Sequence, residues 1–280
     1  MSVALKYLQS MPTAPRLGAI ISLILVLVAI FGPLFAPYDN NEIVGGVWEL
    51  SSSKFWLGTD SLGRDLLSRM IFGTRTTLVI AAAATVLSFT LGAVLGVSAA
   101  VVGGWFDMTI SRFVDIMMSI PTLIFALVVL SVLPSSMITI ILVMGILDST
   151  RVFRLSRAVA SDVNAMDFVE VARLRGEGLS WIVFREILPS ALPALIAELG
   201  MRFIFAVLLL STLSYLGLGV QPPETDWGSI VGDNKDGIVF GVQAALIPAT
   251  AISLLAISIN LVADWILNLA TSRSGGRHDD

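Results

Sequence analysis

Asp167–Pro189, DFVEVARLRGEGLSWIVFREILP, is a short polar interruption in a chain otherwise made of long apolar runs. Asn164 can cap a helix there, with Asp167 three places on where a capping box has Glu or Gln. Met166–Arg175 then follow a helical period, with Phe168, Val171, Ala172 and Arg175 on one stripe and Glu170, Arg173 and Leu174 on another. Gly176 stands where a C′ glycine belongs. Ser180 can cap a second short helix, Trp181–Leu188, which Pro189 ends or kinks. Helix, glycine break and helix make a rigid knob. It is either a handle for another protein or an ordinary loop between two spans.

Composition assigns the class of everything around that knob. Hydrophobic residues fill 56% of 280 positions and charged residues only 14%, with a mean hydropathy of +0.89. Soluble domains carry about 25% charged residues, so an all-α polytopic membrane protein is expected. The net charge of −4 identifies no partner, and no basic cluster points to nucleic acid. The chain has no cysteine, which removes disulfides, thiol chemistry and cysteine-ligated metals. Its one histidine, His278, lies in a polar tail. With no GxxxxGK[ST], HExxH, CxxC or GxSxG, no catalytic, cofactor or metal site is expected in this chain.

Leu17–Phe35 is an apolar run long enough for a hydrocarbon core of about 30 Å and longer than a typical signal-peptide core. An uncleaved first span, ended by Pro33 and Pro37, is expected. Tyr38–Arg75 is polar, and Thr77–Val102 is the clearest span. Gly92 and Gly96 give it a GxxxG spacing that admits a close neighbour without naming one. Phe113–Leu147 would be roughly 52 Å long as one helix, so Pro134-Ser135-Ser136 must mark a turn. The third span is then Ser111–Leu133, and the fourth starts near Met137. That fourth span runs past Asp148 through Arg151, Arg154 and Arg157, which can snorkel to cytoplasmic headgroups. Ala191–Leu216 is the fifth span. It carries Glu198 and Arg202 four apart, an intramembrane pair read as a structural or gate brace. Leu216–Gly237 is polar, with Trp227 as an interfacial anchor, and Ile238–Leu269 holds the last span.

Charge orients the spans. With both termini inside, the inner segments hold Lys6, Arg16, Arg112, Arg151, Arg154, Arg157, Arg173, Arg175, Arg185, Arg273 and Arg277, against Lys54, Arg64, Arg69, Arg75 and Lys235 outside. Six spans with cytoplasmic termini satisfy this bias and put Asp167–Pro189 in the cytoplasm. The expected division is a cytoplasmic N-terminus (1–16), a first helix (17–36), an extracytoplasmic or interfacial segment (37–76), a five-helix core (77–270) with its polar segment at 164–189, and a cytoplasmic tail (271–280).

Three motifs carry a family resemblance. Glu170-Val171-Ala172, Gly176 and Ile187-Leu188-Pro189 resemble the EAA signature of permease subunits from bacterial ABC importers, with Val171 for the usual alanine and Glu177-Gly178 for Ala-Ser. Gly58, Thr59, Asp60, Gly63, Arg64, Asp65, Ser68, Arg69 and Gly73 resemble the LGTDxxGRDxxSRxxxG pattern of C-type permeases in the dipeptide, oligopeptide and nickel family. The run Gly217–Pro223, followed by Trp227-Gly228, is similar to the same family. The resemblance implies a type I ABC importer permease fold. It implies that Asp167, Phe168, Glu170, Val171, Ala172, Arg173, Arg175, Gly176, Leu188 and Pro189 couple to a cytoplasmic ATPase. Asp60, Arg64, Asp65 and Arg69 would form a gate-side collar, with Arg64, Asp65 and Arg69 paired on a short interfacial helix. Implied partners are a B-type permease, two ATPase subunits that hold ATP and Mg, an extracytoplasmic solute-binding protein and inner-membrane lipid. Family cargo is most often di- or oligopeptides, with nickel chelates, glutathione, opines and oligosaccharides among relatives. A stand-alone secondary transporter and a pore-free scaffold are the alternatives from other classes.

Overall fold

Apolar backbone that meets no water must close its own hydrogen bonds, and this chain does so with helices. The computed structural model describes residues 11–275; Lys6, Arg277 and His278 lie outside them. The helices are α1 (Thr13–Phe31), α2 (Leu66–Val102), α3 (Gly104–Ser119), α4 (Thr122–Val132), α5 (Met137–Asn164), α6 (Asp167–Leu174), α7 (Leu179–Tyr215), α8 (Trp227–Asn234) and α9 (Leu246–Gly275). Among the described residues β-structure is limited to the isolated bridges Ile43–Arg64 and Thr59–Asp65.

Among the described residues four helical stretches are long and apolar enough to cross a membrane: α1 with its following turn, α2, α7 and α9. A fifth is reached if α3 and α4 count as one span, although they meet at an 84° bend. Six crossings are therefore not established. The third span differs from the expected straight Ser111–Leu133 because Pro121 cannot continue the ladder of α3, and Ile120 before it is extended. The turn at 133–136 is where the sequence placed it. The following helix, α5, has Asp148, Arg151 and Arg154 within its first eighteen residues and so lacks the composition of a simple span.

Other boundaries moved for local reasons. Helix α2 begins at Leu66, so the expected short interfacial helix is simply its first turn. Pro189 does not end a helix, because α7 runs unbroken from Leu179 to Tyr215. Ile182–Ile187, directly before Pro189, form a π-turn, whose wider coil is one way a helix admits a proline ring. Trp227 is no surface anchor. It opens α8, whose N-cap Asp226 forms a capping box with Ser229, and it is fully buried.

The chain folds as two compact units. The first comprises the residues up to Ala82 with Leu127–Ile141 and Phe203–Val262. In it α1 lies against α9 through Gly18, where a Cβ would sit 2.5 Å from the Ser258 carbonyl oxygen. The second comprises Ala83–Ala126, Leu142–Arg202 and the residues from Ala263. Its seam is α2 against α5, and here the GxxxG motif finds its partner. A Cβ at Gly92 would lie 2.5 Å from Val152 Cβ, and one at Gly96 would lie 2.6 Å from the Phe153 carbonyl oxygen.

Candidate functional site

The collar belongs to the first unit. Gly58 and Gly63 have φ near +80°, and a Cβ at either would strike the carbonyl oxygen of Glu49 or Gly45. That turn drives Asp60 inward until it is wholly buried. Its Oδ1 accepts the N–H groups of Leu62 at 2.8 Å and Arg64 at 2.9 Å. Its Oδ2 takes Arg64 Nε at 2.7 Å and Arg69 Nη1 at 2.6 Å. Asp65 pairs with neither arginine. It caps α2, accepting the Ser68 N–H at 2.8 Å and the Ser68 hydroxyl at 2.7 Å.

Three residues of this network were not anticipated. Asp233 sits 3.2 Å from Arg69 and 3.4 Å from Arg64, and Thr225 Oγ1 accepts from Arg69 Nη2 at 2.8 Å. Asn234 Oδ1 accepts from Trp48 Nε1 at 3.2 Å and from the Ser61 N–H at 2.9 Å. The acidic pair of GDNKDG was the available sequence signal. Asp60 and Asp233 face Arg64 and Arg69 two against two, and these ion pairs join the start of α2 to α8. Burial opposes ionisation of Asp60, yet the hydrogen bonds from Arg64 and Leu62 with the charges of Arg69 and Arg64 prevail and hold its carboxyl below the usual range. Asp226 has no such cations. Burial pushes its carboxyl up to about 6, against the hydrogen bonds of Ser214, Ser229 and Gly228.

The segment expected to couple to an ATPase belongs to the second unit. Asn164 is not the cap of α6; Met166 is, without a side-chain bond. Asn164 instead donates to the Ala100 carbonyl at 3.3 Å and accepts Arg173 Nη2 at 2.6 Å. Gly176, with φ +81°, ends α6 in a Schellman pair: its own N–H donates to Arg173 O at 2.9 Å and the Glu177 N–H to Ala172 O at 3.2 Å. Asp167 and Glu170 in the first turn and Arg173 in the last complement the helix dipole. Arg175 lies over the Trp181 ring at 5.4 Å.

The faces of α6 are assigned differently from the two expected stripes. Val169 and Ala172 are fully buried in an apolar cluster with Val97 of α2, Ala160 and Val163 of α5, and Ile182 and Ile187 of α7. Phe168, Val171 and Leu174 point away from it, 40%, 52% and 82% exposed, amid exposed Asp167, Glu170, Arg173 and Arg175. So Ala172 holds the helix in place while its motif neighbours face outward. Leu188 and exposed Pro189 sit on α7 beyond the π-turn and are not part of that outward face.

Two arginines of α5 are ion-paired with α3, and Arg151 donates to the Thr122 hydroxyl at 3.4 Å. Arg157 bonds Asp107 of α3, Nη2 to Oδ2 at 2.6 Å, and Arg154 bonds Asp115 at 2.6 Å. Glu198 and Arg202 do pair, at 2.7 Å. Asp148 of α5, which in the sequence only ends an apolar run, joins them 3.1 Å from Arg202.

Comparison with known proteins follows this geometry. The family model described as "binding-protein-dependent transport system inner membrane component" matches residues 90–274. The chain belongs to that family. A second model, the N-terminal TM domain of oligopeptide transport permease C, matches residues 15–46. The family member is 34% identical over 256 residues to the di/tripeptide transport system permease protein DppC of Pseudomonas aeruginosa, covering 89% of this chain and 84% of that one. It is 31% identical to the glutathione transport system permease protein GsiD of Pectobacterium atrosepticum, covering 87% and 82%. It is 32% identical to the dipeptide transport system permease protein DppC of Haemophilus influenzae, covering 89% and 87%. A chain of the MetNI methionine ABC transporter, in inward-facing conformations, shares the fold with a TM-score of 0.57 at 19% identity, covering 72% of this chain and 95% of its own. The protein is thus a membrane permease subunit of the ABC importer type, with several membrane-spanning helices.

Proposed function

We propose that this permease forms half of a translocation pathway for di- or oligopeptides in a bacterial inner membrane, beside a B-type permease. Two cytoplasmic ATPase subunits hold ATP and Mg and do the hydrolysis, and an extracytoplasmic solute-binding protein delivers cargo; this chain performs no catalysis. The peptide cargo is supported by the names of the relatives, and glutathione is the second reading because one relative is named for it. The six-crossing topology with cytoplasmic termini takes α5 as a crossing in which Asp148, Arg154 and Arg157 are met by Arg202, Asp115 and Asp107 and Arg151 by the Thr122 hydroxyl.

One observation carries the ATPase dock: α6 is anchored by Val169 and Ala172 and turns Phe168, Val171 and Leu174 outward among charges. An apolar stripe rimmed by charge suits a protein groove. ATP binding to the partners would then select the outward-open form by moving that anchored helix. The test is purification of the tagged chain from its native membrane. Two ATPase polypeptides or a pair of one, together with a second permease, should accompany it. Glu170→Lys or Gly176→Pro, the latter because proline cannot take φ +81°, should release the ATPases and abolish uptake. Coupled uptake unchanged in both variants would refute the dock.

A further inference from the structure

Asp148 and Arg202 hold together the two helices that flank the coupling segment. Asp148 lies eleven residues past the start of α5 and Arg202 thirteen before the end of α7, about 16 and 20 Å from those ends, which in the proposed topology with α5 as a crossing is near the middle of a bilayer. Their side chains are 15% and 9% exposed, and Glu198 completes the cluster from the next turn of α7. Arg151, one turn further in on α5, and Glu198 are the other charges acting on Asp148. Ionised groups at that depth persist only when paired.

A second tie joins the same helices at their other ends. Ala160 and Val163 of α5 and Ile182 and Ile187 of α7 share the apolar cluster that anchors α6. From Ala160 to Asp148 is about 18 Å along α5. Two ties that far apart stop either helix from pivoting about the other, which one tie would allow. In lipid, apolar contact between helices supplies little driving force, so an ionic tie suits the deeper level. We infer that the Asp148–Arg202 pair is a positioning clamp: it makes α6 and the inner parts of α5 and α7 one lever that carries displacement of the coupling helix to the middle of the membrane. This rests on the proposed ATPase dock.

The experiment compares Asp148→Asn and the exchange Asp148→Arg/Arg202→Asp in the assembled transporter, measuring uptake, ATP hydrolysis and partner co-purification. Asp148→Asn should keep its partners and hydrolyse ATP while uptake per ATP falls about ten-fold, and the exchange should recover at least part of it. Full coupling in Asp148→Asn, or an assembled exchange variant no better than Asp148→Asn, overturns the clamp. Should Asp148→Asn fail to assemble, Arg202→Lys decides, since a compact ammonium lacks the spread of Nε and Nη1 that reaches Glu198 and Asp148 from one guanidinium. A fall in uptake per ATP supports the clamp, and unchanged coupling refutes it. Absence of ATPases from the unaltered chain would sink the dock itself, a distinct result.

Discussion

The collar and the coupling helix are both rich in charge, and they dispose of it in opposite ways. The collar turns Asp60, Arg64 and Arg69 inward, each under 10% exposed, and pairs their charges with one another and with Asp233, leaving Arg69 Nε as its one unmatched buried donor among the described residues. The coupling helix turns its charges outward and hides only Val169 and Ala172. A region that consumes its own hydrogen-bonding capacity holds a shape. One that leaves an apolar stripe and a ring of charge on the surface is built to meet something. Stability and function should therefore separate between the two.

The strongest way to break this contrast is Asp60→Ala. It leaves two buried guanidiniums to share the half-exposed Asp233, so about 3 kcal/mol of stability should go, read as a lowered melting transition or loss of monodisperse protein in detergent. A near-wild-type melt would mean that the collar is not self-sustaining. Gly92→Val tests the seam of the second unit. The added side chain meets Val152 Cβ and the Ser149 carbonyl oxygen, and overpacking should cost about 1–3 kcal/mol in the same melt.

A smaller effect comes from Asp226. Its pKa is raised on folding, so its contribution to stability is full below its unfolded value, 3.8, and is lost as pH rises through about 6. Melting should therefore rise by roughly 2 °C between pH 7.5 and 5.5, and Asp226→Asn, which keeps a cap, should remove that part of the pH dependence. Asp60 acts with the opposite sign: its lowered pKa adds stability above its unfolded value and loses it only under strong acid, so it is silent in that range. Least disruptive of all is Leu174→Asp. The side chain touches water, and the melt should move by no more than about 0.5 kcal/mol while uptake is lost.

Much of this was legible in sequence because glycine and proline act locally. Gly176 ends α6 as its position implies, and Gly92 and Gly96 mark a close seam. What stayed hidden depends on the third dimension. Asp233 and Thr225 reach Arg69 from more than 150 positions away, and Asp148 meets Arg202 across 54, so spacing along the chain could not pair them. Arg64 lies four from Asp60, but the turn at Gly63 gives it that partner, while Asp65 is spent on capping α2. The faces of α6 were misassigned because Val169, which falls on neither expected stripe, is the residue that joins Ala172 against Val163 and Ile187, while Phe168 and Val171 turn outward. The continuity of α7 through Pro189 required a π-turn, for which the sequence has no plain signal.

The outward face of α6 is tested most directly by placing a photo-crosslinking residue at Leu174 in the intact transporter, with another at exposed Leu50 as the control. The account predicts a covalent adduct between position 174 and an ATPase subunit, with none from position 50. An intact complex in which position 174 captures only lipid, or only the solute-binding protein, would contradict it.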